Sequence, residues 1–182
     1  MKRQRTSQTA TMLMNRGNPV QFTTEAFKTE TEITGHIVAH LNVSCSSTAE
    51  NTPTDIDLFV TIRHFGADGK ESNSSSKMAR SHQVYYTGTA GDPVPVTKGW
   101  LRVSLRKVES YDPITKIPIR TYLSTDVQTV EGGTVYPVDI EIWPTNVVVE
   151  QGGKLCFEVA AADTQGSGIF QHNHPEDRYS FL

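Results

Sequence analysis

VYPVDIEIWPTNVVVEQGGKLCFEV, residues 135–159, is the stretch on which the fold turns. Val138, Ile140 and Ile142 alternate with Asp139, Glu141 and Trp143, the period of two that a strand with one buried face produces. Pro144 interrupts the ladder, because it has no N–H to donate and restrains the residue before it. Val147, Val148 and Val149 resume an extended run, and Gln151-Gly152-Gly153 supplies a turn. Leu155, Phe157 and Val159 then alternate with Lys154, Cys156 and Glu158. The segment predicts a strand, a kinked apolar piece, a turn and a second strand. It builds core and carries no chemistry of its own.

The same period recurs outward from there. Ile33, Gly35, Ile37, Ala39, Leu41 and Val43 alternate with polar or smaller residues, a pattern no helix gives. Val20-Gln21-Phe22-Thr23 reads as a short strand. Ile56, Leu58, Val60 and Ile62 line one face of another; Phe59 lies on its opposite face, which predicts cover on both sides. Leu101, Val103 and Leu105 against Arg102, Ser104 and Arg106 predict a strand over residues 100–108. No segment of a dozen residues has a helical period with caps. Short strands joined by Gly- and Pro-containing connections specify an all-β sandwich, jelly roll or barrel.

A length of 182 residues suits one domain. Residues 1–18 are polar apart from Met12, Leu13 and Met14 and are expected to form a flexible N-terminal arm, leaving 19–182 as the domain. A hydrophobic fraction of 36%, a charged fraction of 20% and a net charge of −3 offer no broad basic surface, so nucleic acid is not an expected partner. No run approaches the roughly 18–20 apolar residues of a membrane-spanning helix. Lys2, Arg3 and Arg5 are not followed by the apolar core of a secretory signal. Two cysteines, Cys45 and Cys156, are too few for a disulfide framework, which fits a reducing, cytoplasmic setting.

Catalytic patterns are sparse. Gly166-Ser167-Gly168 is too short for a nucleophile elbow and lacks its strand-to-helix context. His36 and His40 share a strand face but stand roughly 13 Å apart, too far for one metal. His172 and His174 would project to one side about 6–7 Å apart, and with Glu176 or Asp177 they form a weak metal candidate. Capping of a turn beside Pro175 is the preferred reading, and no cofactor is expected. Trp100 and Trp143 fall where strands meet turns; core packing is preferred over an exposed platform for a sugar. Asp55 and Asp57 open a strand and are read as turn caps before contacts to a cation or another domain.

Gly35-His36, Asp55-Ile56-Asp57-Leu58-Phe59-Val60, Gly99-Trp100-Leu101-Arg102-Val103-Ser104 and Val138 to Thr145 follow one another at a familiar spacing. Together they resemble the C-terminal domain of the CocE/NonD hydrolases, the group that includes cocaine esterase and the X-Pro dipeptidyl-peptidases. The resemblance runs over residues 19–173, and residues 85–96 are similar to fungal-type members. It implies a jelly-roll, galactose-binding-like sandwich that follows an α/β-hydrolase domain, packs on it and helps shape the substrate cleft. The family's Ser-Asp-His triad belongs to that preceding domain, and no position here matches it, so no catalytic residue is carried over. Two departures stand out: the hydrolase domain is absent, and the chain stops at Leu182, before the usual closing strand. An uncovered sheet edge would then favour a homodimer, with exchanged arms as one form of it.

Two functions follow as expectations. The first is a non-catalytic domain acting through protein contacts, with an α/β-hydrolase in trans as partner. The second is a stand-alone binding module or small enzyme with an apolar pocket inside the sandwich. His64, His82, Arg102 and Tyr85 would be the convergent polar groups there, and Trp100 and Trp143 are further ligand or interface candidates.

Overall fold

A computed structural model describes residues 19–46, 54–72 and 95–161. Among these described residues eight strands follow in order: β1 (Val20–Thr23), β2 (Thr31–Val43), β3 (Asp57–Phe65), β4 (Thr97–Arg102), β5 (Ser110–Tyr111), β6 (Pro118–Ile119), β7 (Tyr136–Val149) and β8 (Lys154–Ala160). A four-stranded sheet has the order β1-β8-β3-β4, and β2 pairs with β7 in a long two-stranded ribbon. A second two-stranded ribbon, β5-β6, sits on the excursion between β4 and β7. Every pairing is antiparallel.

Residues 135–159 settle this architecture in an unexpected way. The turn at Gln151-Gly152, with Gly152 at φ +86°, does not close a hairpin. β7 pairs with β2, whereas β8 inserts between β1 and β3. The turn thus passes the chain from one layer to the other, and the two alternating runs face each other across the core. Val138, Ile140 and Ile142 from β7 meet Leu58 and Val60 from β3, Leu101 from β4 and Val159 from β8. Phe157 and the β2 residues Ile37 and Leu41 pack against this cluster while remaining partly exposed. The all-β sandwich read from periodicity is the observed class.

Pro144 does not end β7. Between Gly35 and Ile37 the register advances two residues on β2 but three on β7, from Thr145 to Ile142, so Trp143 and Pro144 together oppose His36. This is a β-bulge, a place where a strand tolerates a proline that cannot donate to the ladder. The bulge leaves Trp143 and Pro144 both exposed.

β4 departs from the sequence expectation. It starts earlier, at Thr97, and stops at Arg102, after which Val103–Leu105 form a 3-10 turn. The cause is tertiary: Asp55 accepts hydrogen bonds from the Ser104 N–H (2.9 Å) and hydroxyl (2.5 Å), and the Val103 N–H donates to Ile56 O at 2.8 Å. Those bonds fold the chain inward, and Val103 is fully buried. Phe59 is buried on the outer side of β3, as expected for a strand covered on both faces.

Candidate functional site

β4 and β7 meet at a seam. Gly99 faces the β7 backbone so closely that a Cβ built there would lie 2.1 Å from Glu141 O. Thr97 Oγ1 donates to Trp143 O at 2.7 Å, tying the two layers together. Outside this seam the Trp100 and Trp143 rings stand 5.4 Å apart with their planes tilted by 55°. They are 45% and 58% exposed, so the expectation that they pack in the core does not hold. Each indole points outward because its strand position alternates with a buried neighbour, Leu101 and Ile142 respectively.

Arg102, two residues beyond Trp100, is engaged. Its Nε and Nη2 donate to the two oxygens of Asp57 at 2.9 and 3.2 Å, and Asp55 lies 3.9 Å from Nε. The Asp55-Asp57 pair therefore ties β3 to β4 and to the following turn through partners 45 and 49 residues away, a longer-range role than the turn cap read from the sequence. Among the described residues no three His, Cys, Asp or Glu side chains converge on a point that could hold a metal.

His64 sits at the far end of β3, buried, with Ser72 Oγ 2.7 Å from Nδ1 and Glu150 Oε2 2.9 Å from Nε2. A serine, a histidine and a carboxylate in a row suggest nucleophile activation, but the geometry argues otherwise. Glu150 lies within ion-pair distance of Nε2 yet out of line for a hydrogen bond, so it does not fix the tautomer that would leave Nδ1 free to take the serine proton. The other Glu150 oxygen accepts the Ala67 N–H at 3.1 Å, and the Ser72 N–H donates to His64 O at 2.9 Å. The cluster clips the 66–71 turn to the β7-β8 turn. His82, Tyr85, His172 and His174 lie outside the described residues, as do the N-terminal arm and Gly166-Ser167-Gly168.

Sequence reading missed a third cluster, on the outer face of the β2-β7 ribbon. Asp139 accepts from the Tyr111 hydroxyl and lies 2.5 Å from His40 Nδ1, while Arg120 Nη2 donates to Asp139 O at 2.6 Å. Burial works against the Asp139 charge, but the bonds from Tyr111 and His40 outweigh it and hold the carboxyl below its ordinary value. The bond to Asp139 is the main cause that pushes the Tyr111 phenol above its ordinary value. These partners are separated by 28 and 99 residues, and no local spacing announces them.

The excursion carrying β5 and β6 is braced from beneath. Asp126 accepts from Lys107 Nζ at 2.5 Å, from the Thr121 hydroxyl and from the Leu123 N–H at 3.1 Å. Those three bonds, Lys107 first, lower its carboxyl to about 2. The brace holds Tyr122 at φ +53°, in the left-handed region that aromatic residues seldom occupy.

A shallow cleft of about 220 Å³, open to the surface, lies under β2 between Ile37, Ala39, Leu41, Ile142 and Phe157. None of His64, Arg102, Trp100 or Trp143 lines it. A convergent polar set inside an apolar pocket, which the binding-module reading requires, is not formed by the described candidates.

A profile of the family described as the X-Pro dipeptidyl-peptidase C-terminal non-catalytic domain matches residues 4–181. Two crystal structures of a CocE/NonD family hydrolase from Staphylococcus aureus are similar in fold, each with a TM-score of 0.64 and 23% identity. The similarity covers 82% of this chain and 24% of the hydrolase, so the chain spans about a quarter of that protein's length. A marine sediment archaeal (Thaumarchaeota) aminopeptidase aligns over 80% of this chain and 18% of its own, at a TM-score of 0.49 and 14% identity. Comparison with curated proteins finds no sequence match.

Proposed function

Because the chain belongs to the X-Pro dipeptidyl-peptidase C-terminal non-catalytic domain family, we propose that it acts through protein contacts with an α/β-hydrolase part of the CocE/NonD type and helps wall its substrate cleft. The observation that carries this reading is the extent of the family match, residues 4–181, which leaves the described strands doing the work of a packing module. A contiguous apolar core, and a cleft under β2 lined by neither His64 nor Arg102, agree with it. Among the described residues no helix is long and apolar enough to cross a membrane. A cytoplasmic setting is in keeping with Cys45 and Cys156 standing outside any disulfide. Self-association through a sheet edge is the competing contact; among the described residues β2 pairs on one side only, with β7.

The test is reconstitution. The purified chain is mixed with a purified CocE/NonD-type α/β-hydrolase polypeptide from the same source, and complex formation is followed by light scattering after gel filtration. A one-to-one complex with a changed kcat/KM on an ester substrate is expected. A chain that elutes alone, or only as its own dimer, beside every such hydrolase would sink the reading.

A further inference from the structure

The sandwich has two outer faces, and they differ sharply. On the four-stranded sheet the outward residues Phe59, Thr61, Cys156 and Glu158 are only 5, 2, 1 and 2% exposed, so the middle of this face is closed within the chain itself, while Trp100, opposite Phe59, stands exposed at its β4 edge beside the seam with β7. The β2-β7 side is the opposite case. Tyr111, Ile114, Ile119, Tyr122, Leu123 and Val127 stand exposed on the β5-β6 excursion. Val135 and Trp143 stand exposed on or next to the outer face of β7, and Trp100 joins them through its ring contact with Trp143. Among the described residues, those nine are all the large apolar side chains left exposed. A one-sided concentration of this kind marks an interaction surface.

The surface is also prepared for a partner. Asp126 fixes the excursion from Lys107, Thr121 and Leu123, and Arg120 ties it to the β7 backbone. The Tyr111-Asp139-His40 cluster pins its first strand onto the ribbon. Little side-chain or loop ordering then remains to oppose binding.

We infer that the β2-β7 face with its β5-β6 excursion is the docking surface for the catalytic α/β-hydrolase part. This rests on the function proposed above and assigns that contact a place. The choice of occupant follows from two observations: the middle of the other outer face is already closed, and in the Staphylococcus aureus hydrolase a sandwich of this fold accounts for 24% of a single chain, so the other three quarters lie beside it in one molecule.

The inference is tested with the full 182-residue chain and the same purified hydrolase polypeptide, by titration calorimetry. Ile114→Glu and Leu123→Glu alter side chains 88% and 57% exposed, which lets the fold stand; circular dichroism and thermal melts verify this. Lys154→Glu, exposed on the four-stranded sheet, is the control. Affinity is expected to fall about tenfold or more for the two excursion variants and to stay unchanged for the control. If all variants bind like the parent, docking occurs elsewhere and the inference falls while the proposed function stands. If the parent binds no hydrolase, both fall. Loss of self-association, with no hydrolase bound, would assign the face to a second copy and overturn the inference.

Discussion

Gly99→Ala isolates the β4-β7 seam. A methyl group at this position meets Glu141 O at 2.1 Å, Glu141 C at 3.0 Å and Ile142 Cα at 3.1 Å. All three are backbone atoms of a strand paired along its length with β2, so no side chain can swing away to make room. Relief requires the two layers to part, which would loosen the Thr97–Trp143 bond and the burial of Leu101 against Ile142. Overpacking of a core typically costs about 1–3 kcal/mol. A clash with backbone belongs at the upper end, about 3 kcal/mol. For a domain of this size that lowers Tm by about 6–12 °C. The assay is thermal and urea unfolding followed by circular dichroism, with near-ultraviolet signals from the Trp100–Trp143 pair as a local report. Gly69→Ala is the comparison: its φ of +78° strains an alanine, but open space surrounds it, so only about 1 kcal/mol is expected. Equal, small losses at the two positions would refute the argument that the seam is sterically closed.

Four further outcomes follow. Glu158→Ala strips the half-buried Arg63 guanidinium of two bonds at 3.1 Å and takes away Gln21's partner; among the described residues Glu71 alone remains, and urea unfolding should show a loss of about 2–3 kcal/mol. Burial opposes the Arg63 charge, yet Glu158 and Glu71 hold its pKa above the ordinary value, so a drop of less than 1 kcal/mol would contradict the network. Asp126, lowered from 3.8 to about 2, contributes stability that is present above pH 4 and lost as pH falls toward 2; the Tm gap between parent and Asp126→Asn should close over that window. A gap independent of pH would mean its charge does not matter. Tyr111 should ionise above the ordinary phenol range in an ultraviolet titration, and Asp139→Asn should bring it back down. Cys156, 1% exposed, should react with a thiol reagent far more slowly than the half-buried Cys45; equal rates would place Cys156 outside the sheet.

Periodicity made the layers legible. β1 begins and ends where VQFT predicts, and the inward residues of β2, β3 and β7 are those that alternate. That signal works because a buried face imposes a period of two on every strand that supplies it. It says nothing about which strand lies beside which. The turn at residues 150–153 looks like a hairpin yet changes sheets, because β8 finds its hydrogen bonds on β1 and β3. The end of β4 was equally hidden: Leu101, Val103 and Leu105 alternate correctly, and a carboxylate 49 residues earlier cuts the strand short. The tryptophans were misplaced because size and apolarity favour burial on average, while strand phase sends both outward.

The blocks that carried the family resemblance explain why function was more legible than chemistry. Gly99 sits where no side chain fits, Arg102 answers Asp57, Ser104 answers Asp55, and Pro144 occupies the bulge opposite His36. Each is a residue whose type is dictated by a tertiary contact inside the sandwich, so the blocks identify the scaffold. The excursion between β4 and β7 is held through Asp126, Arg120 and the Tyr111–Asp139 bond, while Ile114, Leu123 and Val127 stand exposed to solvent. A surface whose meaning lies in its partner leaves no period and no spacing in the chain that carries it. It becomes visible only when the strands are assembled and its apolar side chains are found together on one side.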